Sequence, residues 1–177
     1  LDRETSGCLL LARTDRAADA LKCSFETHQV EKRYSALVLG EPPDERRIET
    51  PYARDPKDAR RFTTRIPSAR RAALSFTVRE RFSDAAWLDV RLQTGRTHQI
   101  RVQLAEAGWP VIGDAIYGPA AVRAHPVAVE LGRHALHAWR LALPHPISGV
   151  RIETEAPLPA DLSRTVQTLR KPAADGR

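Results

Sequence analysis

Three positions in this 177-residue chain carry side chains that can do chemistry together: a carboxyl at Asp2, a phenol at Tyr34 and a guanidinium at Arg101. A lone carboxylate can act as nucleophile or base at an electron-poor sugar carbon, provided that a fixed cation keeps it ionised and oriented. Asp2 stands in LDRETSG (Leu1 to Gly7), beside Thr5 and Ser6 and just ahead of the apolar stretch Cys8 to Ala12. Tyr34 closes EKRY (Glu31 to Tyr34), and Arg101 closes TGRTHQIR (Thr94 to Arg101). The residue types also have plainer uses. Asp beside hydroxyl residues most often forms a turn or a helix cap, and an Arg at a helix edge often lays its stem on the core with its head in water.

Holding these groups in place is the task of a mixed set of elements. Gly7 to Ala12 is a short, continuous apolar run that suits a buried strand. Thr14 and Asp15 then form a cap before Ala17, Ala18, Leu21 and Phe25, which recur at helical spacing. Glu31 to Gly40 reads as a strand stopped by Glu41-Pro42-Pro43. Between Ile48 and Ile66 lie short extended pieces around an exposed basic loop and hairpin, PYARDPKDARRF. Leu74, Phe76, Val78 and Phe82 alternate with polar residues, and Trp87 to Leu92 repeats the pattern, so an antiparallel hairpin is expected. Ile100, Leu104 and Ala107 place a helix over Thr97 to Ala107, ended by Gly108 and Pro110. Strand-like pieces follow Arg133, then a last helix over Ala160 to Leu169 and a polar tail at 171–177.

Hairpins outnumber strand and helix alternations, which predicts an α+β fold: a mixed, mainly antiparallel sheet with flanking helices. The length suits one domain, 1–177. The chain contains no Met and opens on LDR with no preceding strand or cap, so its N-terminal part is expected to be incomplete. No apolar run approaches the roughly 20 residues that cross a bilayer. Two cysteines, Cys8 and Cys23, are too few for a disulfide framework and read as reduced thiols in or near the core, which fits a cytoplasmic protein. Gly-rich phosphate loops are lacking, so neither a nucleotide cofactor nor any other is expected.

The charge balance is basic, with 28 Lys and Arg against 22 Asp and Glu. Lys occupies only positions 22, 32, 57 and 171, so 24 of the basic residues are Arg. Its planar fork suits phosphate contacts and base stacking, as an RNA partner would require. Genomic base composition also enriches Arg, so the balance alone does not decide.

LDRETSG, EKRY and TGRTHQIR together resemble the catalytic core of the RluA-type RNA pseudouridine synthases. ARDPKD (Ala53 to Asp58), GWPVIGDAIYG (Gly108 to Gly118) and RHALHAWRLALPHPISG (Arg133 to Gly149) extend the similarity in the expected order over most of the chain. The resemblance implies isomerisation of specific uridines in structured ribosomal or transfer RNA to pseudouridine, and a monomer is expected. It implies that Asp2 attacks the anomeric carbon or removes the 2′ hydrogen, and that the freed base turns over and rejoins through carbon 5. Tyr34 would pack on the base and serve in proton removal from carbon 5, and Arg101 would pair with Asp2. Arg96 and His98 would shape the loop or touch phosphate, and Arg33, Arg60 and Arg61 are candidate RNA contacts, with Arg70 and Arg71 a further basic cluster. In the family an Arg associated with nucleotide extrusion precedes the Leu of the first motif, a position ahead of Leu1. Gln103 and Trp109 depart from the family pattern, which usually has His there, and an effect on substrate preference is expected from both.

Two other classes compete. His134, His137 and His145 prompt a metal-dependent hydrolase, but His-x-x-His on strands faces opposite sides and lacks an acidic or Cys partner at ligand spacing. A catalytically inactive, synthase-like RNA-binding protein or RNA chaperone is the other, and it has no use for an acid among phosphate contacts.

Overall fold

A computed structural model describes residues 1–171. Cross-strand pairing builds a seven-stranded sheet from β1 (Ser6–Gly7), β2 (Glu31–Leu39), β3 (Glu45–Pro51), β6 (Arg71–Arg81), β7 (Ala85–Leu92), β8 (Leu136–Pro144) and β9 (Arg151–Glu155). Its order is β1-β8-β2-β7-β6-β3, with β9 also on β8. Every pairing is antiparallel except β1 with β8. A small second ribbon, β4 (Ala53–Arg54) with β5 (Phe62–Thr63), carries the basic loop. The helices are α1 (Asp15–Glu26), α2 (Gln99–Glu106), the short α3 (Ala120–Ala124) and α4 (Pro126–Leu131), and α5 (Ala160–Arg170). The expected α+β class with a mainly antiparallel sheet is what forms; α3 and α4 are additions, too short to show a helical period in the sequence.

Alternation decides which sheet face is dry. Leu74 and Phe76 of β6 with Leu88, Val90 and Leu92 of β7 point inward, where Ile100 and Leu104 of α2 pack on them. These two helix positions lie one turn apart on one face. Lys32 and Tyr34 of β2 share that inner side, whereas Arg33 lies between them and points to the other. Thr14 caps α1 as expected, its Oγ1 accepting the Ala17 N–H at 3.2 Å, a contact worth about 1 kcal/mol.

The expected strand over Gly7 to Ala12 is shorter than its apolar run suggests. Only Ser6–Gly7 pairs with β8, and Leu9 and Leu11 are 65% and 76% exposed. Beyond Ala138 the outer edge of β8 is taken by β9, so nothing remains for Leu9 to Leu11 to pair with. Gly7 itself adopts φ +116°, and an added Cβ would lie 2.1 Å from the Ala138 carbonyl oxygen, so only glycine lets this segment lie so close to β8. Cys8 is half-buried, but Cys23 is exposed on α1 and not in or near the core as expected. Most of the 171–177 tail lies outside the described residues, and no helix among them is long and apolar enough to cross a membrane.

Candidate active site

At the open end of the inner sheet face a cleft of about 390 Å³ is lined by Asp2, Thr5, Phe25, Lys32, Tyr34, Gly95, Arg96, His98 and Arg101, among others. Segments nearly a hundred residues apart thus meet at one surface, as the three motifs require. Arg101 Nη1 donates to Asp2 Oδ2 at 3.1 Å. The rest of the guanidinium faces a second acid: Nε and Nη2 donate to Asp114 at 2.7 and 2.9 Å.

Exposure separates the roles of the two carboxylates. The Asp114 side chain is 1% exposed and that of Arg101 5%, whereas Asp2 keeps 18% open to the cleft. Asp114 also accepts backbone N–H groups from Ile116 and Tyr117 at 2.9 and 3.0 Å. Burial alone would raise its pKa, but the Arg101 hydrogen bonds and these N–H donors outweigh that and hold it below the usual carboxylate range. Burial likewise works against the Arg101 charge, and the two acids raise its pKa further still. The buried pair is therefore an ion pair at neutral pH. It leaves Arg101 Nη1 to donate to Asp2, the one acid lining the cleft among the described residues. Gly113, at φ +76°, precedes Asp114; a Cβ there would lie 2.2 Å from the Arg133 carbonyl oxygen. Asp114 lies in the GWPVIGDAIYG segment, where its role does not show from the sequence; the Gly-Asp pair directly after the apolar Val111 and Ile112 is the signal that marks it.

The loop carrying Asp2 is pinned by side chains from the far end of the chain. Thr5 Oγ1 lies 2.8 Å from His134 Nε2, and Ser6 Oγ lies 2.9 Å from His137 Nδ1. Arg133 adds donors to the Glu4 carbonyl at 3.1 Å and Ser6 Oγ at 3.3 Å, and is itself held by Asp161 of α5 at 2.8 Å. Both histidines are thus engaged by hydroxyls of the Asp2 loop, and among the described residues no group of three or more His, Cys, Asp or Glu side chains could hold a metal ion. His145 instead accepts N–H groups from Ile147 and Ser148 in a turn.

Burial pushes the His134 pKa down to about 4, with Arg101 adding to the effect and Asp114, Asp2 and Glu4 opposing it. The neutral imidazole is the folded form at pH 7. Between the ordinary pKa of 6.5 and about 4 the unfolded chain binds a proton here that the folded chain does not. Stability from this site is fully present above pH 6.5 and falls as pH drops toward 4. Urea unfolding of the wild type and of His134→Gln across pH 4 to 8 is expected to show a loss of about 2 to 3 kcal/mol in the wild type that is flattened in the variant. Equal slopes would place the proton elsewhere.

Tyr34 holds its proton firmly: burial, with the nearby Asp2 charge and Cys8, pushes its pKa up to about 12. At neutral pH it is a phenol. His98 caps α2 in the left-handed conformation, φ +58°, unusual for a non-glycine residue. Its ring lies 2.9 Å from Tyr117 Oη and edge-on to Tyr117 and Phe62. Burial lowers its pKa. Arg96 sits at the cleft rim, its Nε donating to the Arg71 carbonyl.

Other expected contacts lie away from the cleft. Arg33 pairs with Asp89 at 2.6 Å and covers the Trp139 ring on the opposite sheet face. Arg60 is solvent-exposed and pairs with Asp58, while Arg61 donates to the Ile116 carbonyl at 2.6 Å and stacks on Tyr117, bracing the Asp114 turn. Gln103 and Trp109 do not line the cleft either. Gln103 ties α2 to Thr50 and Ala72 at 2.9 and 3.0 Å, and Trp109 packs edge-on against Phe76. Gln103, two residues on from Arg101, faces nearly the other side of the helix.

Comparison with known proteins places this geometry. The family model for RNA pseudouridylate synthase matches residues 1–106. An uncharacterized RNA pseudouridine synthase of Chloroflexus aurantiacus is 43% identical over 174 residues, covering 98% of this chain and 53% of that protein. Ribosomal large subunit pseudouridine synthase D of Nitrosomonas europaea is 38% identical over 173 residues, covering 96% and 50%. Among solved structures, human RNA Pseudouridylate Synthase Domain Containing 1 superposes with a TM-score of 0.76 at 27% identity, over 96% of this chain and 78% of that one. The chain belongs to the RNA pseudouridylate synthase family, in its RluA-type branch. It spans about half the length of the curated relatives it matches.

Proposed function

We propose that the chain is the catalytic part of an RNA pseudouridine synthase that converts a specific uridine of structured RNA to pseudouridine. The observation that carries this reading is the cleft in which a reachable carboxylate, Asp2, is held by a buried Arg101 and Asp114 pair beside the Tyr34 phenol. The target nucleotide leaves its stack, at a cost of a few kcal/mol, and enters the cleft. The bond between C1′ and N1 breaks and its electron pair departs with the base. Asp2 either forms a bond to C1′ or takes the 2′ proton, and Arg101 aims it in both routes.

Tyr34 packs against the base. A phenol that keeps its proton to about pH 12 is poorly suited to take the carbon 5 proton at neutral pH. The Asp2 carboxylate, freed when carbon 5 displaces it from C1′ or, in the other route, when it returns its proton to C2′ as carbon 5 joins C1′, is the better acceptor. Arg96 at the rim serves the RNA backbone, and the names of relatives that act on the large ribosomal subunit favour ribosomal RNA over transfer RNA. Chemistry of this kind calls for no cofactor, and a monomer in the cytoplasm would suffice. Carbodiimide-based primer extension on RNA from cells with and without the gene tests the reading. One stop on ribosomal RNA that disappears with the gene is expected; an unchanged pattern on ribosomal and transfer RNA would contradict it.

A further inference from the structure

One charged side chain in the cleft is unused by this scheme. Lys32 is 8% exposed and lies on β2 two residues from Tyr34, on the same face. Among the described residues its ammonium forms no ion pair. Its single acceptor is the Thr94 carbonyl, at 3.4 Å, and it stands 5.6 Å above the Phe25 ring. Burial pushes its pKa below the ordinary lysine value. A buried ammonium with one long hydrogen bond is unfavourable unless an anion completes the site, because desolvation is not repaid by a carbonyl dipole and a ring face alone. Lys32 lines the cleft and its Nζ reaches the Gly95 wall of it, 3.5 Å from where a Cβ would stand there, so an anion entering the cleft can complete the site.

We propose that Lys32 is a catalytic residue that stabilises the negative charge on the departing base. This inference rests on the synthase reading above. When the C1′–N1 bond breaks, the electron pair passes to N1 and is shared with the O2 and O4 carbonyl oxygens. The base is a uracil anion whether Asp2 attacks C1′ or takes the 2′ proton. An ammonium on the same strand face as Tyr34, in the same cleft, meets that anion on arrival and holds it while it turns. The charge disappears when carbon 5 bonds to C1′. The interaction is therefore stronger in the transition state than in the bound uridine, as catalysis requires.

The test compares wild type, Lys32→Met and Lys32→Arg in the full-length protein. Substrates are matched RNAs carrying uridine or 5-fluorouridine at the target, and first-turnover loss of the target nucleoside is followed by digestion and mass spectrometry. Fluorine makes the base a better leaving group that depends less on an external cation. On uridine RNA, Lys32→Met is expected to lower the first-turnover rate about 100-fold, the typical effect of deleting one preorganised charge stabiliser. On 5-fluorouridine RNA the loss should shrink to about tenfold or less, with Lys32→Arg between the two and RNA affinity within about twofold of wild type.

An equal loss on both RNAs would overturn the proposal, since a packing role or a phosphate contact does not sense the leaving group. So would a rate near wild type, or a loss confined to affinity. Wild type that consumes neither RNA would remove the synthase reading, and this inference with it, which sets that outcome apart from a defect in the variant alone.

Discussion

Asp2→Asn is expected to abolish uridine conversion, lowering the first-turnover rate by about 10³-fold or more, while RNA affinity and the unfolding midpoint stay close to wild type. The amide keeps the size and one acceptor oxygen of the carboxylate but lacks the charge that attacks carbon or takes a proton. Fold stability should be little affected. Asp2 is the most exposed of the three charged groups, and the Arg101 charge keeps its main partner in Asp114. Measuring rate, affinity and melting on the same preparation checks all three parts. Retained activity would show that another group does the chemistry.

Arg101→Met is expected to fail in both respects. Removing the guanidinium leaves Asp114, 1% exposed, with two backbone N–H groups as its remaining donors. An unpaired buried charge of this kind destabilises by about 3 to 5 kcal/mol. Asp2 loses its aim at the same time, which lowers the rate by about 10²-fold or more. The double variant Arg101→Met with Asp114→Leu separates the two effects. With both charges of the pair removed, denaturant melts should recover much of the lost stability, less the cost of leaving the Ile116 and Tyr117 N–H groups without that acceptor, and the rate should not recover. A double variant as unstable as the single one would mean that the pair matters for packing and not for its charge.

Much of this site is legible along the chain, and the parts that are not share a cause. Asp2, Tyr34 and Arg101 stand in motifs whose residue types suit the chemistry, and the cleft brings all three together. Strand alternation also carries information that a motif does not. In EKRY it puts Lys32 with Tyr34 and turns Arg33 away, so Lys32 belongs to the cleft and Arg33 to the outer face. Asp114, His134 and His137 are hidden for another reason. Each acts through a partner more than ten residues away, Arg101 for Asp114 and the Thr5 and Ser6 hydroxyls for the histidines. Local spacing holds no trace of such pairings.

The fold shows the same division. The β6 and β7 hairpin and the α1 cap depend on near neighbours and read directly from periodicity. The end of β1 depends on where β9 lies along β8, almost 150 residues later, and the apolar run Cys8 to Ala12 gives no hint of it. Arg61 illustrates how composition misleads: part of a basic cluster in the sequence, it spends its charge on the Ile116 carbonyl inside the protein.

We propose that Asp2, Arg101 and Tyr34 form a working uridine isomerase. Tritium release from ribosomal RNA labelled at carbon 5 of uridine, incubated with the full-length protein, tests it most directly. One tritium released for each pseudouridine formed is the predicted result. No release from either ribosomal or transfer RNA would contradict it.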